Sequence, residues 1–278
     1  MRACRPLLGT YVEIRIDDTD PETAIVAVDA GFAAISEVQR LMSVFDENSD
    51  ISRINRFAQR YPVPVSPWTQ EILMLARELH ERSEGLFDCG IAPELAAWGL
   101  LPAQEAPAST SSIAHVQLDN DGCVTCSAPT RLDLGGIAKG FAVDRATDAL
   151  RAAGARGGII NAGGDLRVFG TADEAIYLRD PADPEQVRFA GQLTDGAFAT
   201  SATYYSRREH HGEEVSALVD PRTRRAVVSR RSYSVIAPRC VIADALTKVL
   251  ALSGDTNLAC FSRYDAHPLI FEPSRVLP

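Results

Sequence analysis

The 278-residue sequence predicts an α+β fold with a largely antiparallel or mixed sheet. Three observations point there. The second half is strand-rich, while helix-period segments fall in both halves. Strands and helices do not alternate strictly, which argues against a doubly wound parallel sheet. Hydrophobic residues make up 46% and charged residues 23% of a chain long enough to bury a sizeable core.

Residues 11–16 alternate and predict a strand. Asp20-Pro21-Glu22 reads as a helix start, with Asp20 as N-cap and Pro21 in the first helical position. That helix runs to about Met42, with Ile25, Val28, Phe32, Ile35, Val38 and Leu41 as its apolar stripe. Ser66-Pro67 opens a second helix. Ile72, Leu75, Ala76 and Leu79 form its inner face, and Gly85 lies beyond its end. Residues 103–112, rich in Ala, Pro and Ser, predict an exposed loop. Residues 116–124 read as a hairpin turning at Asp121-Gly122. A third helix starts near Ile137 and ends before Gly154. Strands are expected at 158–160, 166–169, 175–179, 196–205, 216–219 and 232–237. A late helix spans about 241–252 with Gly254 past its end, and 268–271 is the last strand. There is no repeat and no low-complexity tract.

The formal net charge of −9 disfavours nucleic acid and anionic lipid as long-range partners. An anionic ligand must therefore be held locally, by backbone N–H groups, a few placed Lys or Arg, or a metal. Of the six cysteines only Cys123 and Cys126 are close in sequence. A C-x-x-C suits a metal knuckle or a redox pair, yet no second pair or clustered His completes a zinc set. Ordinary thiols of a reduced compartment are the plainer reading. The opening residues hold no apolar run of signal-peptide length, and no stretch approaches a membrane span. A cytoplasmic location is the expectation.

The densest segment for chemistry is Leu132-Asp133-Leu134-Gly135-Gly136-Ile137-Ala138-Lys139-Gly140, running on to Asp144. It reads as a strand end, a Gly pair and a helix start. Glycines there admit a ligand to the backbone, the first helical N–H groups face an anion, and Lys139 adds a point charge. It is neither a dinucleotide fingerprint nor a Walker loop. A capped junction with a surface Lys reads the same way. Asn161-Ala162-Gly163-Gly164-Asp165 offers a second Gly pair, which a tight hairpin also explains. Thr200 and Ser201 are hydroxyl donors suited to phosphate oxygens, or simply strand residues. Asp244 and Lys248 share one face of the late helix. They make a surface ion pair, or a buried carboxylate that needs a cation, since Val241 to Leu246 is otherwise apolar.

These segments, in this order, resemble the FAD:protein FMN transferase (ApbE) family. Leu8-Gly9-Thr10 looks like the opening Met-Gly-Thr. Met42-Ser43-Val44-Phe45 and the run from Ser49 to Asn55 resemble the family's "M-S-x-[YF]…S-x-[IL]-x-R-[IL]-N". Gly85-Leu86-Phe87-Asp88, with Pro93 and Trp98-Gly99, looks like "G-x-F-D…P…W-G". Then follow the Gly-rich segments, Ala199-Thr200-Ser201, Asp220-Pro221-Arg222-Thr223 and Ala243-Asp244-Ala245-Leu246. Each motif is modest, but eight or so in register across nearly the whole chain are specific.

The resemblance implies an ApbE-like (T-fold-like) α+β architecture. Residues 1–278 would form one domain of two lobes, divided near 110–130, with FAD in a cleft between the halves. It implies that Leu8 and Phe45 take the apolar and aromatic positions beside the nucleotide. Leu86, Phe87, Asp88, Asp133, Lys139, Gly164, Asp165 and Leu218 would join the cofactor-binding set, with Thr200 and Ser201 near the pyrophosphate. It further implies a Mg²⁺ on the backbone carbonyl of Gly136 and on Asp244; Thr247 is a further metal candidate, and Asp244 and Lys248 are the candidate catalytic residues. The reaction implied is cleavage of FAD, attachment of FMN through a phosphoester to a Thr of an acceptor flavoprotein, and release of AMP. Nucleic acid and membrane are not implied partners.

Two residues depart from the family pattern. Lys248 stands where a metal-ligating Thr is usual, with Thr247 one residue earlier. Ala217 stands where a His precedes the Asp-Pro pair, and His210 and His211 are out of register. A protonated ammonium cannot ligate a metal. If that His is the proton acceptor, the usual base is missing. Two other readings follow: an FAD-binding protein without transfer activity, and a Mg²⁺-dependent FAD pyrophosphatase.

Overall fold

The computed structural model describes residues 1–17, 19–103, 111–170, 172–183, 185–203 and 206–273. Most of the expected 103–112 loop, and the last two residues of the expected 196–205 strand, lie outside them. In chain order the elements are β1 (Arg2–Leu7), β2 (Thr10–Asp17), α1 (Pro21–Met42), α2 (Asp50–Phe57), β3 (Val63–Pro64), α3 (Pro67–Arg82) and α4 (Ala92–Ala97). Next come β4 (Val116–Leu118), β5 (Cys123–Cys126), α5 (Ala138–Ala152), β6 (Gly157–Ala162), β7 (Asp165–Gly170), β8 (Asp173–Arg179), β9 (Val187–Thr194) and β10 (Ala197–Ala202). The last are β11 (Arg208–His210), β12 (Glu213–Val215), β13 (Val219–Asp220), β14 (Arg225–Ala226), β15 (Ser232–Ala237), α6 (Cys240–Ser253), α7 (Ala259–Arg263) and β16 (His267–Phe271).

The chain forms two compact units. The first comprises residues 1–39, 139–204 and 229–278, and the second comprises 40–138 and 205–228. The first is built on a seven-stranded sheet, ordered β1-β2-β6-β7-β10-β15-β16. Every neighbouring pair in it is antiparallel. Two of its hairpins close with two-residue turns, Leu8-Gly9 and Gly163-Gly164, and all four residues have positive φ. Such turns match the twist of the paired strands. Leu8 is the costly residue there, and its N–H donates to Gln39 Oε1 at 2.6 Å.

Helix α1 crosses the sheet closely: a Cβ on Gly31 would lie 2.9 Å from Ile14 Cδ1. Asp20 caps α1 by accepting from Thr23 N at 3.0 Å. Helix α6 packs on β10, β15 and β7. It is buried on nearly every side, and Gly254 at φ 64° ends it. Each fully buried Leu or Val of such a helix contributes about 1.5–3 kcal/mol. Elsewhere in this unit, Ile159, Leu166, Val168 and Phe198 pack with Ile176, Leu178 and Leu193 of the β8–β9 hairpin.

The second unit holds α2, α3 and α4 with three small sheets, β3-β5-β4, β11-β12 and β13-β14. Ser49 caps α2 through Ser52 N, and Ser66 caps α3 through Thr69 N. The hairpin expected at 116–124 is present, with both Cys123 and Cys126 in its second strand. All six cysteines are free thiols.

Three local expectations are corrected. Ile25 is 51% exposed. The rest of the expected stripe, Val28, Phe32, Ile35, Val38 and Leu41, is buried, and Ala24, one residue's rotation of about 100° from Ile25, is buried in its place. In α3 the buried residue is Leu73 rather than the half-buried Leu75, for the same reason. Residues 216–219 are not one strand. The buried Ser216 accepts from Leu218 N at 3.1 Å and donates to Val227 O at 2.7 Å, turning the chain between β12 and β13. Strands β1 and β9 were not foreseen. Each pairs along its whole length with a neighbour and buries little of its own surface, so its alternation is weak.

Candidate active site

In the first unit, the α5–α6 contact places the charged groups. Gly140, in the first turn of α5, lets the two helices nearly touch: a Cβ there would lie 2.3 Å from Cys240 O. That approach brings Gly140 N within 2.9 Å of Asp244 Oδ2. The start of α6 has no side-chain cap of its own. Instead Asp144 of α5 accepts from Cys240 N and Val241 N, each at 3.0 Å, and pairs with Arg167 at 2.6 Å.

Around this contact lie two lysine–aspartate pairs. Lys139 Nζ is bound to Asp165 Oδ2 and Lys248 Nζ to Asp244 Oδ1. Lys248 also donates to Asp244 O at 3.0 Å. The Thr247 hydroxyl donates to Asp244 O at 2.6 Å and lies 2.7 Å from Ser201 Oγ. Thr200 Oγ1 lies 2.8 Å from Ser234 Oγ. Asp244 and Asp165 are almost wholly buried. Burial pushes the Asp165 carboxyl up, and the negative charge of Asp244 adds to that. Burial also works to raise Asp244, but Lys248 and Lys139 outweigh it and hold that carboxyl below its ordinary value. Lys139 is raised: burial opposes its charge, but Asp165 and Asp244 more than compensate. Burial and the surrounding carboxylates push the Cys240 thiol well up, so it is no nucleophile. The Gly163-Gly164 turn, next to Asp165, borders the other turn of this sheet edge: a Cβ on Gly163 would meet Thr10 Oγ1 at 2.5 Å. Leu8, Lys139, Gly164, Asp165, Thr200, Ser201, Asp244, Thr247 and Lys248 thus all belong to the first unit.

Phe45, Leu86, Phe87, Asp88, Asp133, Gly136 and Leu218 belong to the second. Phe45 is 71% exposed and lines a groove of about 520 Å³ with Asn55, Arg56 and Arg131. An exposed aromatic ring in a groove that also carries Arg56 and Arg131 suits a flat, anionic ligand. Leu86 and Phe87 are buried. The Asp88 carboxylate is fully engaged within the protein. It accepts from Gly90 N at 2.7 Å, Ser112 Oγ at 2.6 Å and Ile113 N at 2.8 Å, with His80 Nδ1 at 3.3 Å. Burial would raise Asp88, but His80, Ser112 and the two backbone donors hold it lowered. Asp88 in turn raises the His80 imidazole above its ordinary value. Leu218 is half-buried beside the Ser216 turn.

Asp133 differs from Asp88. The Asn55 amide clamps the preceding residue, donating to Leu132 O at 2.8 Å and accepting from Leu132 N at 2.7 Å. The carboxyl of Asp133 accepts from the Gly135 N–H, and burial pushes it up to about 6. An acid whose folded-state value lies above its ordinary 3.8 is penalised on ionising, so stability falls as pH rises through that interval. Asp133→Asn should therefore raise the melting temperature at neutral pH, by the equivalent of roughly 1–3 kcal/mol. The gain should vanish below pH 3.8. Thermal melts of both proteins across that range check it.

Several site-building residues were missed from sequence. Gly140 and Asp144 stood within the Gly-rich segment but carried no assigned role. Asn55 closed a motif without an evident purpose. Ser234 had no signal at all. Arg224, one residue past Asp220-Pro221-Arg222-Thr223, forms a bidentate pair with Glu94 at 2.7 and 2.6 Å and also binds Gly90 O and Ser111 O.

A Mg²⁺ on Asp244 and Thr247 does not fit the donors as arranged. Both Asp244 oxygens are engaged, one by an ammonium, and the Thr247 hydroxyl is engaged as well. Among the described residues no group of three or more His, Cys, Asp and Glu has metal-holding geometry. Nor, among them, is any helix long and apolar enough to cross a membrane.

The chain is similar to the FAD:protein FMN transferase of Vibrio cholerae, at 27% identity over 271 residues, covering 90% of this chain and 80% of that protein. It is 32% identical over 209 residues to the FAD:protein FMN transferase of Rhodobacter capsulatus, covering 69% of this chain and 40% of that one. Its fold matches the crystal structure of the ApbE protein of Thermotoga maritima with a TM-score of 0.83 at 25% identity, over 97% of this chain and 93% of the other. It also matches the fold of the flavin transferase ApbE from Vibrio cholerae, with a TM-score of 0.80 at 22% identity, over 99% and 97%. The sequence model of the ApbE family matches residues 8–267, nearly the whole length, and the chain belongs to that family.

Proposed function

We propose that this protein is an FAD:protein FMN transferase. It cleaves the pyrophosphate of FAD, joins FMN through a phosphoester to a Thr of an acceptor flavoprotein and releases AMP. The acceptor hydroxyl oxygen bonds to the FMN phosphorus as the bond to the AMP phosphate breaks. The observation that carries this reading is the pairing of Lys139 with Asp165 and Lys248 with Asp244 beside the hydroxyls of Ser201 and Thr247. Fixed ammonium groups and hydroxyls, already oriented by their partners, suit the charge that develops on phosphate oxygens in such a transfer. Lys139 and Lys248 would neutralise phosphate oxygens, and Thr200 and Ser201 would donate to them. In the second unit, Phe45 would stack on a ring of the nucleotide, and Asp133 would take a donor from it. The relatives' names support transfer of FMN from FAD to a protein.

One observation favours a second reading, an FAD-binding protein that does not transfer. Ala217 is exposed where the family's His would stand, so it supplies no base to the incoming Thr. Incubation with FAD and a co-expressed acceptor distinguishes the two. Chromatography should show AMP, and mass spectrometry should show one FMN added to an acceptor Thr. Bound FAD without AMP would reject the transferase reading, and AMP without labelled acceptor would leave a pyrophosphatase.

A further inference from the structure

We infer that Lys248 is the resident cation of the Asp244 site, and that the protein takes up no divalent metal there. Asp244 is fully buried in the apolar run from Val241 to Leu246, where an ionised carboxylate requires a positive charge close by. Lys248, one turn along α6, supplies it through contacts to Oδ1 and to the main-chain oxygen of the same residue. The other carboxylate oxygen accepts from Gly140 N. Thr247, the nearest hydroxyl on the helix, is turned to Asp244 O and Ser201.

Charge decides between the two cations. Asp165 and Asp244 are already balanced by Lys139 and Lys248. A divalent ion would add two positive charges to a neutral buried cluster and lie against an ammonium, which has no lone pair to offer it. Expelling the ammonium does not relieve this, because Lys248 is anchored twice and its side chain is only 19% exposed. Of the three N–H groups of Lys248, two meet Asp244, which leaves one for an anionic oxygen such as that of a phosphate ester. The phosphate contact rests on the transferase reading. Exclusion of the metal does not.

The test is a Mn²⁺ titration of the ligand-free protein, followed by the electron paramagnetic resonance signal of free Mn²⁺. Wild type and Asp244→Asn should take up the ion equally, through surface carboxylates alone. Lys248→Thr should gain a site at least about tenfold tighter, and the double variant Lys248→Thr/Asp244→Asn should lose it. Mn²⁺ bound by wild type and released by Asp244→Asn would overturn the inference. So would a folded Lys248→Thr with no gain in affinity. If Lys248→Thr does not fold, Lys248→Gln, which keeps the length and removes the charge, is judged in the same way. The titration is complete before FAD is added, so a failure to bind FAD, read separately by flavin fluorescence, bears on the transferase reading alone.

Discussion

Asp244→Ala should cost the protein both its activity and a large part of its stability. The carboxylate is fully buried and is met by the Lys248 ammonium and the Gly140 N–H. Removing it leaves a mostly buried ammonium without its carboxylate, and a buried amide without its partner. Breaking a buried ion pair on one side costs about 3–5 kcal/mol. For a chain of this length that is a fall in melting temperature of roughly 6–20 °C. Lys248→Met alone should be similarly harmful, since it strands the carboxylate. The double variant should be less damaged than the sum of the two, because both charges are then gone. A coupling of roughly 1–3 kcal/mol is expected from urea denaturation of the four proteins. Additive single effects would show that the two groups do not depend on each other. AMP release from FAD should be lost in all three variants.

Gly140→Ala should be strongly destabilising. The new Cβ would meet Cys240 O at 2.3 Å, Cys240 C at 2.7 Å and Asp244 Cβ at 2.8 Å. Two of these are backbone atoms, so no rotamer change relieves the clash. Helix α5 would have to move away from α6. That motion stretches the Gly140 N bond to Asp244 and the Asp144 bonds to Cys240 N and Val241 N together. Overpacking of this kind costs up to about 3 kcal/mol or somewhat more. The Ala should also lower turnover by shifting Lys139, the preceding residue, away from Asp165. Differential scanning calorimetry and AMP release, measured on one preparation, check both effects. Unchanged values in each would mean that α5 and α6 are not held in close approach at Gly140.

The elements that were legible beforehand carry their signals locally. Asp20-Pro21 and Ser66-Pro67 started helices because a capping oxygen and a preset φ act within one turn. Gly254 ended α6 because the C-cap needs positive φ. Alternation marked β2, and Asp121-Gly122 marked the β4–β5 hairpin. Where the signal was a neighbour's surface rather than a residue's own chemistry, the reading slipped. Ile25 has the right character, yet it is 51% exposed, while Val28, Phe32, Ile35, Val38 and Leu41 of the same stripe are buried.

Asp244 was legible as a buried carboxylate in need of a cation, because it interrupts an apolar helix and stands one turn from Lys248. Composition and local pattern also sufficed to anticipate an α+β fold with a largely antiparallel or mixed sheet and to draw attention to Lys139, Thr200 and Ser201, while Asp165 entered through the resemblance to the family. The partner of each was not legible. Lys139 reaches Asp165, Gly140 N reaches Asp244, and Asp144 caps a helix that begins 96 residues later. Those meetings depend on strand order and on two helices touching at a glycine. No local propensity encodes them, because hydrogen bonds and ion pairs act over a few ångströms of space, whatever the distance along the chain.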